Sequence, residues 1–238
     1  MMRIGIVGAG HIGSNIARRL ALADHDVTVS FARDQAGLTA LAAEIGGTAA
    51  EPSDAAKADV IVLSVPWGVI DDALRAAGPL DGRIVIDTTN QFGRGGALDL
   101  GGRTAAQVNA ERMPGARYTK SFNTLTAAFQ AAAANRAEPE RVVQWIAGDD
   151  GEAKAVTASL VSDAGYVPVD LADIGNCTVM EAPRRAGAVY GEEYRAADAD
   201  SVVAAVRAGT PIPPTPVYLS GASPDPIVPE TRWSGQLQ

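Results

Sequence analysis

Six residues near the start of the chain have the types and spacing to cradle a dinucleotide. Gly8-Ala9-Gly10-His11-Ile12-Gly13 fits G-x-G-x-x-G. Glycines recur in many turns, so the pattern gains its weight from position: it follows an apolar strand pattern, Ile4 to Val7, and opens a helical one, Ile12 to Leu22. Each glycine then has a physical duty. Gly8 permits the tight turn, Gly10 lets the backbone approach a pyrophosphate, and Gly13 lets the helix pack closely on the strand. The first-turn N–H groups at His11 and Ile12, with the helix dipole, would face the phosphates. The alternative is a structural turn in some other α/β protein.

The end of the second strand decides which dinucleotide. NAD sites place an Asp or Glu there for the ribose 2′-OH. This chain has Ser30-Phe31-Ala32-Arg33, with no acid and a guanidinium just beyond the strand. Paired N–H donors on Arg33 suit a 2′-phosphate, which points to NADP(H). The next residue, Asp34, could instead neutralise Arg33 or approach the ribose, and a plain solvated Arg33 is the alternative reading.

Three further strand ends face the same way, because ligands lie at the carboxyl ends of parallel strands. Val65-Pro66-Trp67 follows one; Pro66 would start a helix, and Trp67 would either border the nicotinamide or pack on the sheet edge. Asp87-Thr88-Thr89-Asn90 ends the next, its polar groups placed for the nicotinamide ribose or carboxamide, or for a turn stabilised by Asp and Asn. Lys120-Ser121-Phe122-Asn123-Thr124 ends a third. Trp67, Ser121 and Asn123 are the substrate-pocket candidates; Asn123 or Thr124 could equally cap the following helix. Acid–base candidates are sparse. His11 sits in the glycine loop, His25 in an Asp24-His25-Asp26 surface turn, and Cys177 has no histidine nearby in sequence and reads as structural. No Tyr-x-x-x-Lys pair and no histidine pair at metal-site spacing is present.

The elements that must position these groups follow the alternation of a parallel sheet with crossover helices. Strands are predicted at Val27 to Ser30, Thr48 to Ala50, Val60 to Val65, Ile84 to Asp87, Arg117 to Ser121, Val142 to Ala147 and Tyr166 to Val169. Helices are predicted at Leu38 to Ile45, Val69 to Ala77, Thr104 to Arg112, Thr126 to Asn135 and Glu152 to Ala164, with a glycine-rich loop from Gln91 to Gly102. Beyond about residue 173 the alternation is lost apart from a helical Ala197 to Ala208, and prolines cluster after Gly209. The expected fold class is α/β: a Rossmann-type, doubly wound, mostly parallel sheet over residues 1–172. A small C-terminal helical or irregular segment follows over 173–209, then a Pro-rich tail over 210–238, either an ordered arm against a partner or a loose end.

Bulk properties narrow the function. The 238 residues carry a formal net charge of −8, so nucleic acid, which needs clustered Lys and Arg, is an unfavoured partner. No apolar run approaches the roughly 20 residues of a membrane span. The single cysteine permits no intrachain disulfide. The chain opens directly into a strand pattern with no signal-peptide layout. The expectation is a cytoplasmic protein acting on a small-molecule or coenzyme substrate.

Taken together, Met2 to Gly13, Leu63 to Trp67, Ile86 to Asn90, Lys120 to Thr124 and Ala147-Gly148-Asp149-Asp150 resemble the NADPH-dependent coenzyme F420 reductases and their bacterial relatives. The oxidoreductase domains of the STEAP metalloreductases are more distantly similar. The resemblance covers roughly residues 1–172. It implies an NADP-holding Rossmann domain, a C-terminal helical segment completing a cleft, a homodimer, and hydride passing between nicotinamide and the deazaflavin of F420. Family members often carry Ser-Arg at the 2′-phosphate; here Ala32 replaces the Ser and Arg33 keeps the Arg. The chain departs after Asp173, where Arg184-Arg185, Glu192-Glu193 and Tyr194 make the segment more polar than the family's hydrophobic helices. Arg184 and Arg185 would meet an anionic coenzyme tail or form a solvated charged face. The alternatives to F420-linked hydride transfer are NADPH-dependent reduction of a small imine or carbonyl, and a redox sensor that binds NADP without turning it over.

Overall fold

The computed structural model describes residues 1–213. The expected arm or loose end of the tail lies mostly beyond them. The chain runs β1 (Arg3–Val7), α1 (His11–Leu22), β2 (Asp26–Ser30), α2 (Gln35–Ile45), β3 (Thr48–Ala49), α3 (Pro52–Ala55), β4 (Val60–Leu63), α4 (Ile70–Ala77) and β5 (Ile84–Asp87). It continues through β6 (Phe92–Gly93), β7 (Gly96–Ala97), α5 (Ala105–Arg112), β8 (Arg117–Lys120), α6 (Ala127–Ala133), β9 (Val143–Gly148), α7 (Gly151–Asp163), β10 (Val167–Ala172) and α8 (Ala196–Ala208). Eight strands form one sheet in the order β10-β9-β8-β5-β4-β1-β2-β3. The order reverses at β1, the place where a doubly wound sheet opens a ligand crevice.

Both faces of the sheet are covered, which explains the near-continuous apolar strands. In β4, Ile61 and Leu63 enter one core with Ile70 and Ala73 of α4 and Ala105 of α5. Val60 and Val62 enter the other, with Ile16 and Leu20 of α1, Leu38 and Leu41 of α2, and Leu160 of α7. The helix ends follow local chemistry. Asp34, Thr126 and Asp150 accept a first-turn N–H at the heads of α2, α6 and α7, Thr104 and Gln107 form a reciprocal cap on α5, and α2 and α8 stop at left-handed Gly46 and Gly209.

Three features differ from the sequence expectation. A single-turn helix, α3, forms at Pro52–Ala55, too short to show a helical period. Within the Gln91–Gly102 stretch, β6 and β7 pair antiparallel as a small hairpin; two-residue strands have too little alternation to register as a pattern. And β9 runs antiparallel to β8, with Lys120 opposite Ala147, while β10 is parallel to β9. Strand direction depends on how connections cross the sheet, and apolar content carries no record of it. The segment after β10 is built into the main core: Cys177, Met180, Val189, Tyr194 and Val202 are buried with Trp145 and Leu171 of the sheet. No helix among the described residues is long and apolar enough to cross a membrane.

Candidate functional site

The glycine loop joins β1 to α1, and its three glycines stand in three different environments. Gly8 has φ +108°, and a Cβ there would lie 2.2 Å from the Ser64 carbonyl oxygen. A Cβ on Gly13 would lie 2.0 Å from the Gly8 carbonyl oxygen. These two are demanded by packing. A Cβ on Gly10 would meet nothing within 4 Å, so its bareness serves open space in front of the helix. Gly10 is also the cap of α1 and makes no side-chain cap bond, and His11 beside it is exposed. An uncapped helix terminus behind a bare backbone is the setting a pyrophosphate requires. The loop therefore fits a dinucleotide on the observed geometry.

At the end of β2, Ser30 turns inward and its hydroxyl donates to the Ile6 carbonyl at 3.0 Å. Phe31 takes a positive φ of 55°, and Arg33 emerges exposed with no ion partner among the described residues. Asp34 does not neutralise it: the Asp34 carboxylate accepts the Gly37 N–H at 3.0 Å as the cap of α2.

The carboxyl ends of β5 and β8 border a cleft of about 150 Å³ beside the head of α1, lined among others by Ile12, Thr88, Asn90, Asn123, Thr124 and Tyr190. Asn90 and Asn123 brace one another. The Asn90 Nδ2 donates to the Asn123 carbonyl at 2.8 Å, and the Asn123 Nδ2 donates to Asn90 Oδ1 at 3.1 Å and to the Met180 carbonyl at 2.6 Å. That leaves Asn123 Oδ1 and Thr124 Oγ1 buried without a hydrogen-bond partner among the described residues, along with Ser121 Oγ. Neither Asn123 nor Thr124 caps the next helix; Thr126 does. Val65, Pro66, Trp67 and Ser121 are not part of this lining. Val65 is buried and Pro66 exposed. Trp67 lies in the core with the Arg112 guanidinium 4.7 Å above its ring.

Behind the cleft lies a buried charge cluster that the sequence did not disclose. Asp87, Lys120 and Glu181 are 0%, 0% and 1% exposed. Asp87 accepts from the Tyr118 hydroxyl at 2.5 Å and the Asn109 amide at 2.7 Å. The Lys120 ammonium stands 3.4 Å from Asp87 and 3.8 Å from Glu181 and donates to the Thr89 carbonyl at 2.7 Å. Glu181 accepts the Ala105 and Ala106 N–H groups at 2.7 and 2.9 Å, an anion held at the head of α5. Burial works against the Lys120 ammonium, but the two carboxylates outweigh it and raise its pKa above the ordinary value. Burial, and then the Asp87 charge, push the Tyr118 phenol well up. An Asp ending an apolar strand and a Lys ending its neighbour were the available signal; Glu181 arrives from a segment whose placement has no periodicity to betray it.

Two other sequence expectations change, and the structural reading of Cys177 stands. His25 is not a surface residue: its ring is 4% exposed and contacts Asp163 at 3.0 Å, with Nδ1 accepting the Met2 N–H at 3.2 Å. Arg184 and Arg185 are half-buried and held internally, Arg184 by Glu192 at 2.6 Å and Arg185 by the Thr178 carbonyl. They form no solvated face. Cys177 is fully buried, its thiol donating to Ile174 O and Glu181 Oε1 at 3.3 Å, and burial pushes its pKa up, as for an inert structural thiol.

Comparison with known proteins agrees with this geometry. Residues 3–91 match the family described as NADP oxidoreductase, coenzyme F420-dependent. A hypothetical protein of Sinorhizobium meliloti is 31% identical, with a TM-score of 0.74, over 82% of this chain and 96% of that one. A proposed F420-dependent NADP reductase of Arthrobacter sp. FB24 is 25% identical, with a TM-score of 0.63, over 73% and 86%. A reductive aminase of Aspergillus terreus shares the fold at 19% identity and a TM-score of 0.56, over 73% of this chain and 56% of that one. From the glycine loop, the sheet order and these matches, the chain belongs to the coenzyme F420-dependent NADP oxidoreductase family and is an NADP-dependent oxidoreductase.

Proposed function

We propose that the chain moves a hydride between NADP(H) and coenzyme F420 or a flavin-like acceptor, in the cleft beside Ile12 and Asn90. The observation that carries this reading is the cleft lining. It holds Ile12, Thr88, Asn90, residues 122–127 and Tyr190, and no Asp, Glu, His, Lys or Cys among the described residues. Hydride transfer between two rings asks for the reacting carbons at about 3–3.5 Å and for little side-chain acid–base chemistry. When bound, the nicotinamide supplies or accepts the hydride. The backbone at Gly8, Gly10, His11, Ile12 and Gly13 would hold the pyrophosphate, and Arg33 the 2′-phosphate. Val65 and Pro66 would flank the dinucleotide at the end of β4. Ile12 gives the cleft an apolar wall, and Asn90 fixes Asn123 at the neighbouring strand end.

The test mixes NADPH or NADH with F420 and follows the deazaflavin absorbance. Fast bleaching with NADPH and slow bleaching with NADH is the expected result, and Arg33→Ala should raise the NADPH KM at least about tenfold, the loss of a charge-assisted bond. NADPH that binds but is oxidised by no acceptor would make the chain a redox sensor.

A second reading, reduction of a small imine or carbonyl, is favoured by one observation: Tyr190, the titratable side chain in the lining, could give a phenolic proton to the product. Tyr190→Phe separates the two. It should leave F420 reduction intact, whereas imine reduction through a Tyr190 proton would collapse.

A further inference from the structure

The cleft has two sides of different origin. Ile12 brings the dinucleotide loop to it, and Tyr190 brings the C-terminal segment. That segment is tied to the end of β8 by the Gly191 N–H, which donates to the Thr124 carbonyl at 2.8 Å. Tyr190 and Thr124 therefore occupy neighbouring parts of the lining. The Phe92 ring of the β6–β7 hairpin stands 6.5 Å from the Tyr190 ring and is 42% exposed, so an aromatic wall continues from the cleft toward solvent. On the floor, Thr124 is 2% exposed and Asn123 4%. Thr124 Oγ1 and Asn123 Oδ1 have no partner among the described residues. Buried polar atoms left unbonded are costly and rare, and a cleft whose lining residues carry two of them is short of a ligand group. The hydroxyl can donate. Asn123 Oδ1 can only accept, because both contacts of its amide use Nδ2.

We infer that Tyr190, Thr124 and Asn123 select the acceptor: a flat ring packed on Tyr190 whose edge presents a carbonyl to Thr124 Oγ1 and an adjacent N–H to Asn123 Oδ1. This inference rests on the hydride-transfer reading above. The edge it describes is that of a cyclic imide or amide, as on the pyrimidine ring of a deazaflavin or flavin. The nicotinamide carboxamide offers the same two groups, so the measurement must separate the two sources. The link from Thr124 to Gly191 and Tyr190 assigns the pair to the acceptor, since the dinucleotide reaches the cleft from the Ile12 side.

The test titrates F420 into NADP⁺-saturated protein and NADP⁺ into the free protein, by fluorescence, for wild type, Thr124→Val, Tyr190→Leu and Tyr190→Phe. Thr124→Val and Tyr190→Leu should each raise the F420 Kd about tenfold or more, equivalent to about 1.4 kcal/mol, with the NADP⁺ Kd unchanged. Tyr190→Phe keeps the ring and should bind F420 more tightly than Tyr190→Leu does. If wild type and all variants bind F420 equally, the inference falls while the hydride-transfer reading stands. If Thr124→Val weakens NADP⁺ and F420 alike, the polar pair belongs to the nicotinamide and the assignment is overturned. Wild type that takes up no F420 removes the underlying reading, and the inference with it.

Discussion

Gly10 and Gly13 look equivalent in the motif, but they answer to different forces. The Gly13 position is closed by a backbone oxygen at 2.0 Å from where a Cβ would be, and that of Gly10 is open. Gly13→Ala should therefore destabilise the folded chain by about 1–3 kcal/mol through overpacking. Gly10 has φ −74°, which alanine adopts freely, so Gly10→Ala should melt like wild type yet bind NADPH at least about tenfold more weakly. Paired thermal melts and NADPH titrations check both; equal losses of stability in the two variants would show that Gly10 is also a packing glycine. Position within the motif disclosed this loop because its chemistry is local. The same holds for the placement of Arg33, three residues beyond the buried end of one short strand. It does not hold for Asn123, whose amide is oriented by Asn90 and Met180 from distant parts of the chain.

At the scale of elements, the Asp87–Lys120–Glu181 cluster joins β5, β8, the head of α5 and the segment after β10. Lys120→Met would leave two carboxylates facing one another in the core. Breaking a buried pair on one side costs about 3–5 kcal/mol. The same cluster sets an alkaline limit. The pKa values of Cys177, Tyr118 and Lys120 are all raised above ordinary values of 9.0, 10.0 and 10.5. The unfolded chain gives up these protons first, so above about pH 9 the folded state binds more protons and stability falls as pH rises. Denaturant titrations at about pH 7, 9 and 11 should show a plateau and then a decline; a profile flat through the last point would mean the cluster is not closed to solvent. Most elements were legible, because helices and strands write their periods into adjacent residues. The β6–β7 hairpin was too short for that, and the antiparallel β9 required knowledge of which strand it joins.

At the scale of the molecule, residues 173–209 supply part of the fold's interior. Tyr194 packs edge-on against Trp145 at 5.3 Å between ring centroids, and Glu181 supplies one of the buried carboxylates. A chain ended at residue 172 should therefore fail to fold cooperatively, although the nucleotide motifs all precede that point. Circular dichroism melts and gel filtration would check this; a monomeric truncate with a sharp transition would show that 1–172 is autonomous. The sequence by itself determined the α/β class, the glycine loop and the place of Arg33 just beyond β2, since all are carried by short-range spacing that the backbone must obey wherever it sits. Only the tertiary structure decided that Arg184 and Arg185 turn inward, that His25 is sheltered, that Trp67 lies under Arg112, and that Tyr190 reaches the cleft. Those outcomes depend on contacts between residues far apart in the chain, and burial, not sequence order, selects them.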